Sequence, residues 1–204
     1  TTPMRALIQT LTPLMPQPQR FVMSNLNFFE SMLLHQLSQS TTAAPLVRST
    51  IAMTMANAGI KDNVVPEAAT LTLNARILPG QSEKDIMTHL EMNTMGFDVD
   101  VIPREATFST EPSPISCFSC VQFKNIESVV YEVFPNAVVG PGIVTGGTDS
   151  RHFRKLSDNV YRFLPIVVGP EDIKGFHGKD EKLSIENYNR MIDFYQRLIR
   201  TWDK

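Results

Sequence analysis

The stretch Ala69-Thr70-Leu71-Thr72-Leu73-Asn74-Ala75-Arg76-Ile77-Leu78-Pro79-Gly80 alternates without interruption between apolar and polar side chains. Ala69, Leu71, Leu73, Ala75 and Ile77 share one parity; Thr70, Thr72, Asn74 and Arg76 share the other. A period of two predicts a half-buried strand with Arg76 on its polar face, stopped at Pro79-Gly80. Upstream, residues 50–55 show the same period, with Ile51, Met53 and Met55 against Thr50, Ala52 and Thr54. Downstream, Ser82-x-x-Asp85 has the form of a capping box and predicts a helix through about Asn93, with Ile86 and Leu90 inward. Phe97, Val99 and Val101 then alternate with Asp98 and Asp100, as expected of another strand. Strand, strand, helix, strand within residues 47–102 predicts an antiparallel sheet covered on one face by helices, a compact α+β module.

The flanking regions follow other periods. Met4, Leu7, Ile8, Leu11 and Leu14 fall at helical spacing before the stretch Pro13 to Pro18. Phe21, Leu26, Phe28, Phe29, Met32, Leu33 and Leu37 predict a second, strongly apolar helical segment, either packed or offered to a partner. Residues 103–120 hold Pro103, Pro112, Pro114 and several serines without a sustained period, and read as a connection between domains. Ile126, Val129, Val130 and Val133 mark an amphipathic helix stopped at Pro135-Asn136. Short apolar runs at 137–139 and 161–168 precede a last helix, where Ile185, Tyr188, Ile192, Tyr195 and Ile199 follow Ser184 as N-cap. This alternation predicts an α/β layer with buried strands. The expected division is one domain over 1–110 and another over 111–204.

Composition narrows the function classes. The 204 residues are 42% hydrophobic, and 19 basic against 21 acidic residues leave a charge of -2 without long runs of one sign. That is the make-up of an ordinary soluble globular protein, with no basic stripe for nucleic acid or anionic lipid. No apolar run approaches transmembrane length. Two cysteines make no disulfide framework, and Cys117-x-x-Cys120 is half a zinc ribbon at best. The chain begins at Thr1 rather than at a methionine, so whatever precedes it, a signal peptide included, is unread and the compartment is open.

Two segments carry candidate chemistry. Gly140-Pro141-Gly142-Ile143-Val144-Thr145-Gly146-Gly147-Thr148-Asp149-Ser150-Arg151 has Thr148-Asp149 where a phosphate loop needs its lysine, which argues against a nucleotide. Asp149, Ser150 and His152 stand too close in sequence for a nucleophilic triad, and no G-x-S-x-G elbow exists. A tight glycine turn beside Arg151 suits a carboxylate ligand, which a guanidinium grips with paired hydrogen bonds. The alternative is a loop before a helix with Asp149 as N-cap. His177, in Gly175-Phe176-His177-Gly178-Lys179-Asp180, is placed to ligate a metal or move a proton, or is a solvated loop histidine. His35 and His89, on predicted helices, read as ordinary, and His152, beside Arg151, reads as structural.

Taken together, these motifs resemble a known family. Asn63-Val64-Val65-Pro66 running into Leu73-Asn74-Ala75-Arg76-Ile77-Leu78-Pro79-Gly80-Gln81 resembles the lid of the zinc exopeptidase and amidohydrolase family that includes carboxypeptidase S, aminoacylase and succinyl-diaminopimelate desuccinylase. Thr148-Asp149-Ser150-Arg151, Tyr161-Arg162-Phe163-Leu164-Pro165 and Phe176-His177-Gly178 before Glu181-Lys182-Leu183-Ser184 resemble the last part of its catalytic domain. The carboxypeptidase S and N-fatty-acyl-amino-acid hydrolase branch is the most similar. The resemblance implies a ferredoxin-like lid, which doubles as a dimerisation domain, followed by the C-terminal α/β part of a metallopeptidase. It implies that His177 is a metal ligand of a paired-zinc site. It implies that Asn63 polarises the scissile carbonyl region, that Arg76 holds a carboxylate, and that Gly147, Thr148 and Arg151 line the substrate pocket. Arg76 on the polar face of a strand agrees, since a forked cation there can face a cleft.

The family's other ligands come from a His-x-Asp, a bridging Asp, a Glu-Glu pair whose second member is the general base, and a further acid. This chain has no His-x-Asp and no Glu-Glu, and the lid's Gly-His-Ser is likewise missing. A catalytic zinc site needs about three protein ligands, and the resemblance supplies one. The expectation is a C-terminal portion of a hydrolase acting on N-acyl amino acids or small peptides. It has no catalytic residue of its own, and alone it neither turns over substrate nor binds zinc tightly. Two other readings stand beside it. One is a non-enzymatic lid that forms a homodimer or binds a partner through its sheet edge or the helix over 21–37. The other is an amino-acid or dicarboxylate binding protein using Arg76 and Arg151.

Overall fold

A computed structural model describes residues 1–104, 111–176, 178–179 and 181–202. It is an α+β chain, mostly helical. In order it forms α1 (Thr2–Leu11), a 3-10 turn (Thr12–Leu14), α2 (Gln19–Ser24), α3 (Leu26–Ser38), α4 (Ala44–Val47), β1 (Thr50–Ala58), β2 (Ala69–Arg76), α5 (Glu83–Thr94), α6 (Val121–Val133), a 3-10 turn (Asp149–Phe153), α7 (Pro170–Gly175) and α8 (Ile185–Trp202). The chain divides into two compact units. Thr1–Ile115 with Gly142–Arg151 make the first, and Ser116–Pro141 with His152–Lys204 the second.

In the first unit the deciding stretch is a strand, paired antiparallel with β1 from Thr50↔Arg76 to Ala58↔Ala69. A bulge between Met53 and Met55 changes which side chains share a face. Before it, Ile51 opposes Ala75 and Met53 opposes Leu73; after it, Met55 opposes Thr72 while Ala56 opposes Leu71. Met55 therefore joins the polar face, against the plain alternation of residues 50–55, because one extra residue reverses the parity of a strand. Thr54, at the bulge, donates its hydroxyl to the Thr72 carbonyl at 3.2 Å.

The expected half-buried sheet is not what forms. Met53 is 65% exposed on the apolar face and Met55 52% exposed on the other, and no helix packs extensively on either face among the described residues. The expected third strand is also irregular chain. Gly96 takes φ +88°, Phe97 N–H donates to Thr94 O, and Val99 N–H donates to Phe97 O, both at 3.0 Å. Those turn bonds occupy the backbone that a strand would offer to a neighbour, so the sheet has two strands among the described residues.

The local signals behave as the sequence predicts. Ser82 Oγ accepts from the Asp85 amide at 3.3 Å and an Asp85 carboxylate oxygen accepts from the Ser82 amide at 2.7 Å, a reciprocal cap on α5. The apolar N-terminal region forms α1 to α3, interrupted by the prolines. Arg5 on α1 donates to Asn27 and Glu30 of α3. Phe21, Phe28 and Phe29 meet edge to face. Leu26 and Leu33 are buried, whereas Phe28 is 83% exposed.

The second unit has its core between α6 and α8. Ile126, Val129 and Val130 pack with Phe194 and Leu198, and Val133, Phe134, Ala137, Val139 and Tyr161 close around them. Arg197 of α8 reaches Glu132 of α6 and Asp193 of its own helix. Ser184 caps α8, its hydroxyl accepting from the Asn187 amide at 3.1 Å. The runs 137–139 and 161–168 form no strand, and Ile166 N–H turns back onto Leu164 O at 2.9 Å, so no strand stands beyond β2 among the described residues. Side chains take the partner's place. Ser116 Oγ accepts from Val160 N–H and donates to Val160 O. The Asn187 amide bonds both backbone groups of Val167, and Tyr195 donates to Phe163 O.

Candidate functional site

Arg76 is the last residue of β2, paired across the ladder with Thr50 and exposed. The chain leaving it is held by Ser49, whose hydroxyl accepts from the Leu78 amide at 2.9 Å and donates to Gln81. The guanidinium thus stands at a fixed strand end with its polar face toward solvent. Asn63 sits in the turn of the loop over 59–68, also exposed. Gly59 enters that loop at φ +69°, the left-handed angle that favours glycine, and a Cβ there would crowd the Pro66 ring at 3.2 Å. The loop joins the Ala58 and Ala69 ends of the strands, whereas Arg76 ends the other end of β2, about 23 Å further along the strand.

The Gly142–Arg151 segment returns to the first unit, the same unit as Asn63 and Arg76. Thr148 organises its end. Its hydroxyl bonds Ser150 Oγ at 2.6 Å and accepts from the Ser150 amide at 3.3 Å, and its carbonyl accepts from the Arg151 amide. The cap of the turn is Thr148 rather than Asp149, which lies inside the first turn; the hydroxyl's shorter reach fits the 3-10 geometry. The expectation of a glycine-forced tight turn is also corrected. Gly142, Gly146 and Gly147 take no left-handed φ, and a Cβ on any of them would meet nothing within 4 Å. Their missing side chains leave the backbone open to approach. Gly147 and Thr148 are exposed and Arg151 is half-buried.

Five of the six candidate residues, Asn63, Arg76, Gly147, Thr148 and Arg151, therefore belong to one unit. The sixth, His177, lies outside the described residues. No group of three or more His, Cys, Asp or Glu is placed to hold a metal ion among the described residues, so they do not by themselves make a zinc cradle. A shallow hollow lined by Arg5, Thr12, Asn25, Leu26 and Phe28 contains none of the candidates. In the second unit, burial pushes the Tyr161 phenol above its ordinary 10.0, and burial, then the nearby Arg154, lowers Arg162 from its usual strongly basic value. In the sequence Tyr161 belongs to an apolar run and to the motif Tyr161-Arg162-Phe163-Leu164-Pro165, neither of which assigns its hydroxyl a partner. Its hydroxyl in fact donates to Cys117 O at 2.5 Å and lies 3.5 Å from Cys120 Sγ. The two cysteines are joined as a disulfide.

Residues 31–95, which span the hairpin, its loop and α5, match the family described as the peptidase dimerisation domain. The chain carries a peptidase dimerisation domain. It is also homologous along nearly all its length to proteins of the carboxypeptidase S branch. It is 39% identical over 92% of its residues to Probable carboxypeptidase S-like 2 of Dictyostelium discoideum, covering 36% of that protein. It is 33% identical over 98% to N-fatty-acyl-amino acid synthase/hydrolase PM20D1 of Mus musculus, covering 40%. It is 25% identical over 82% to carboxypeptidase S of Saccharomyces cerevisiae, covering 34%. The chain thus spans well under half the length of these relatives. No solved structure matches it. No helix is long and apolar enough to cross a membrane among the described residues.

Proposed function

We propose that this chain is the lid and C-terminal portion of a zinc-dependent hydrolase that cleaves the amide bond of N-acyl amino acids or small peptides. The observation that carries the proposal is similarity along almost the whole chain to proteins named as carboxypeptidase S-like and as N-fatty-acyl-amino acid synthase/hydrolases. In this reading the remaining zinc ligands and the general base belong to parts of the protein outside this chain, and His177 is the ligand the chain adds. Arg76 and Arg151 are the cations for the substrate carboxylate. A guanidinium offers a carboxylate two parallel hydrogen bonds, so it fixes the acyl-amino acid's orientation as well as its charge. Asn63 supplies an amide donor toward the scissile carbonyl, and Gly147 with Thr148 forms an unobstructed wall.

Because β2 sets Asn63 and Arg76 at different ends, their joint action requires the loop or a second lid to bring a donor to the same substrate. Release of free amino acid from an N-fatty-acyl amino acid by the full-length protein tests the proposal. Chelator-sensitive release is expected; a full-length protein that binds no zinc and releases nothing would contradict it.

A second reading is favoured by the exposed hairpin, which offers two open faces and unpaired outer edges: a homodimer formed through the lid. Light scattering on the chain with Phe28 and Phe29 replaced by serine separates the surfaces. An unchanged dimer mass points to the hairpin, and a monomer to α3.

A further inference from the structure

Cys117 and Cys120 are bonded to one another in the second unit, with Cα atoms 5.9 Å apart, a span a disulfide bridges without moving the backbone. Only Phe118 and Ser119 lie between them, and so short a closed loop restrains the unfolded chain much less than a long one. As a staple the bridge does little; as a reactive group it is well placed. Both cysteines are partly exposed, neither lying in the buried core of the unit.

The surroundings distinguish the two sulfurs. Cys120 is the N-cap residue of α6, a 13-residue helix with no side-chain cap bond at that end. Its sulfur lies 3.3 Å from the Cys117 carbonyl oxygen and 3.5 Å from the Tyr161 hydroxyl, which donates to that same carbonyl. A thiolate there meets the positive end of a helix and its unpaired amide N–H groups, which lowers a cysteine's pKa. Cys117 precedes the helix and is held by its backbone. Its amide donates to Asn159 Oδ1 at 2.8 Å and its carbonyl accepts from Tyr161. These bonds keep the 116–120 segment in place whether or not the sulfurs are joined.

We propose that Cys117–Cys120 is a thiol–disulfide exchange site whose reaction partner is a low-molecular-weight thiol. The incoming thiolate attacks Cys117 Sγ, the S–S bond breaks, and its electron pair leaves on Cys120 Sγ as the thiolate held at the α6 N-terminus. The sulfur of lower pKa is the better leaving group, which sets that direction. A second thiolate attacks the small-molecule sulfur of the mixed disulfide and releases Cys117, which takes a proton from water. The balance is one protein disulfide plus two thiols giving one protein dithiol plus one small-molecule disulfide, a transfer of two electrons. Oxidised small-molecule disulfide reverses it.

The test equilibrates the 204-residue chain with reduced and oxidised glutathione at a series of ratios, traps free thiols with a maleimide and reads the mass. The expected result is a transition between species carrying two labels and none, with its midpoint inside the glutathione range. A chain that stays unlabelled in millimolar reduced glutathione, or fully labelled at every ratio, overturns the proposal. The polarity has its own readout, alkylation by iodoacetamide near pH 6 in single variants. Cys120 in C117S is expected to react about threefold faster than Cys117 in C120S, because its larger thiolate fraction outweighs its lower intrinsic nucleophilicity. Equal rates, or the opposite order, overturn the assigned leaving group.

Discussion

Ser82 and Asp85 hold the start of α5 through three hydrogen bonds: the Ser82 amide and hydroxyl both donate to the Asp85 carboxylate, and the Asp85 amide donates to the Ser82 hydroxyl. Ser82→Ala should cost about 1 kcal/mol of stability, read from urea unfolding. Asp85 adds a pH dependence of defined sign. The Ser82 side chain and then its backbone amide hold the carboxyl below its ordinary 3.8. A depressed carboxyl stabilises the fold at pH values above 3.8 and loses that contribution as pH falls through its lower folded value. Asp85→Asn should therefore unfold more easily than the parent at pH 7, and the difference should close in strong acid. A pair of unfolding curves at the two pH values checks it. For Arg76, removal of a charged hydrogen-bond donor should raise KM for an N-acyl amino acid on the order of 10- to 100-fold in the full-length protein, with Arg76→Lys intermediate. Single residues were legible wherever their partners are local. Ser82 with Asp85 and Ser184 with Asn187 bond within one turn, so spacing alone finds them. The sequence offered Asp149 as the cap, one residue too late, because the exact start of a short 3-10 turn is not recorded in spacing.

At the scale of elements, the two units differ in how much of their apolar surface finds a partner. Phe194 is fully buried between α6 and α8, so Phe194→Ala should destabilise the second unit by roughly 3–5 kcal/mol. Phe28, on an exposed flank of α3, should tolerate serine with little change in the same melt. Helices were readable because their hydrogen bonds close within the segment and their apolar stripes need one neighbour. Strands were readable only as extended chain, since a strand's identity rests on a partner elsewhere in sequence. β1 and β2 found each other. The runs at 97–101 and 161–168 meet turns or side chains instead, and the bulge at Thr54 reversed a face that alternation alone assigned the other way.

For the whole molecule the exposed surface is informative. The chain exposes 15609 Å², whereas a single folded protein of 22.9 kDa exposes about 9,600 Å² and two fully separate domains of these sizes about 11,500 Å². Met53, Leu71, Ile185, Tyr188 and Ile199 are among the exposed apolar side chains. In the proposed function, surface of this kind is covered by the rest of the protein. The isolated chain should bind a hydrophobic dye strongly, and the full-length protein should bind it weakly. In the proposed function this chain supplies the lid that grips the substrate carboxylate of an N-acyl amino acid hydrolase, and kinetics of the full-length protein on such a substrate give the sharpest test. The parent protein should turn the substrate over, and Arg76→Ala should raise KM at least about tenfold with folding intact. No turnover by the parent, or an Arg76→Ala variant with unchanged KM and kcat, would contradict it.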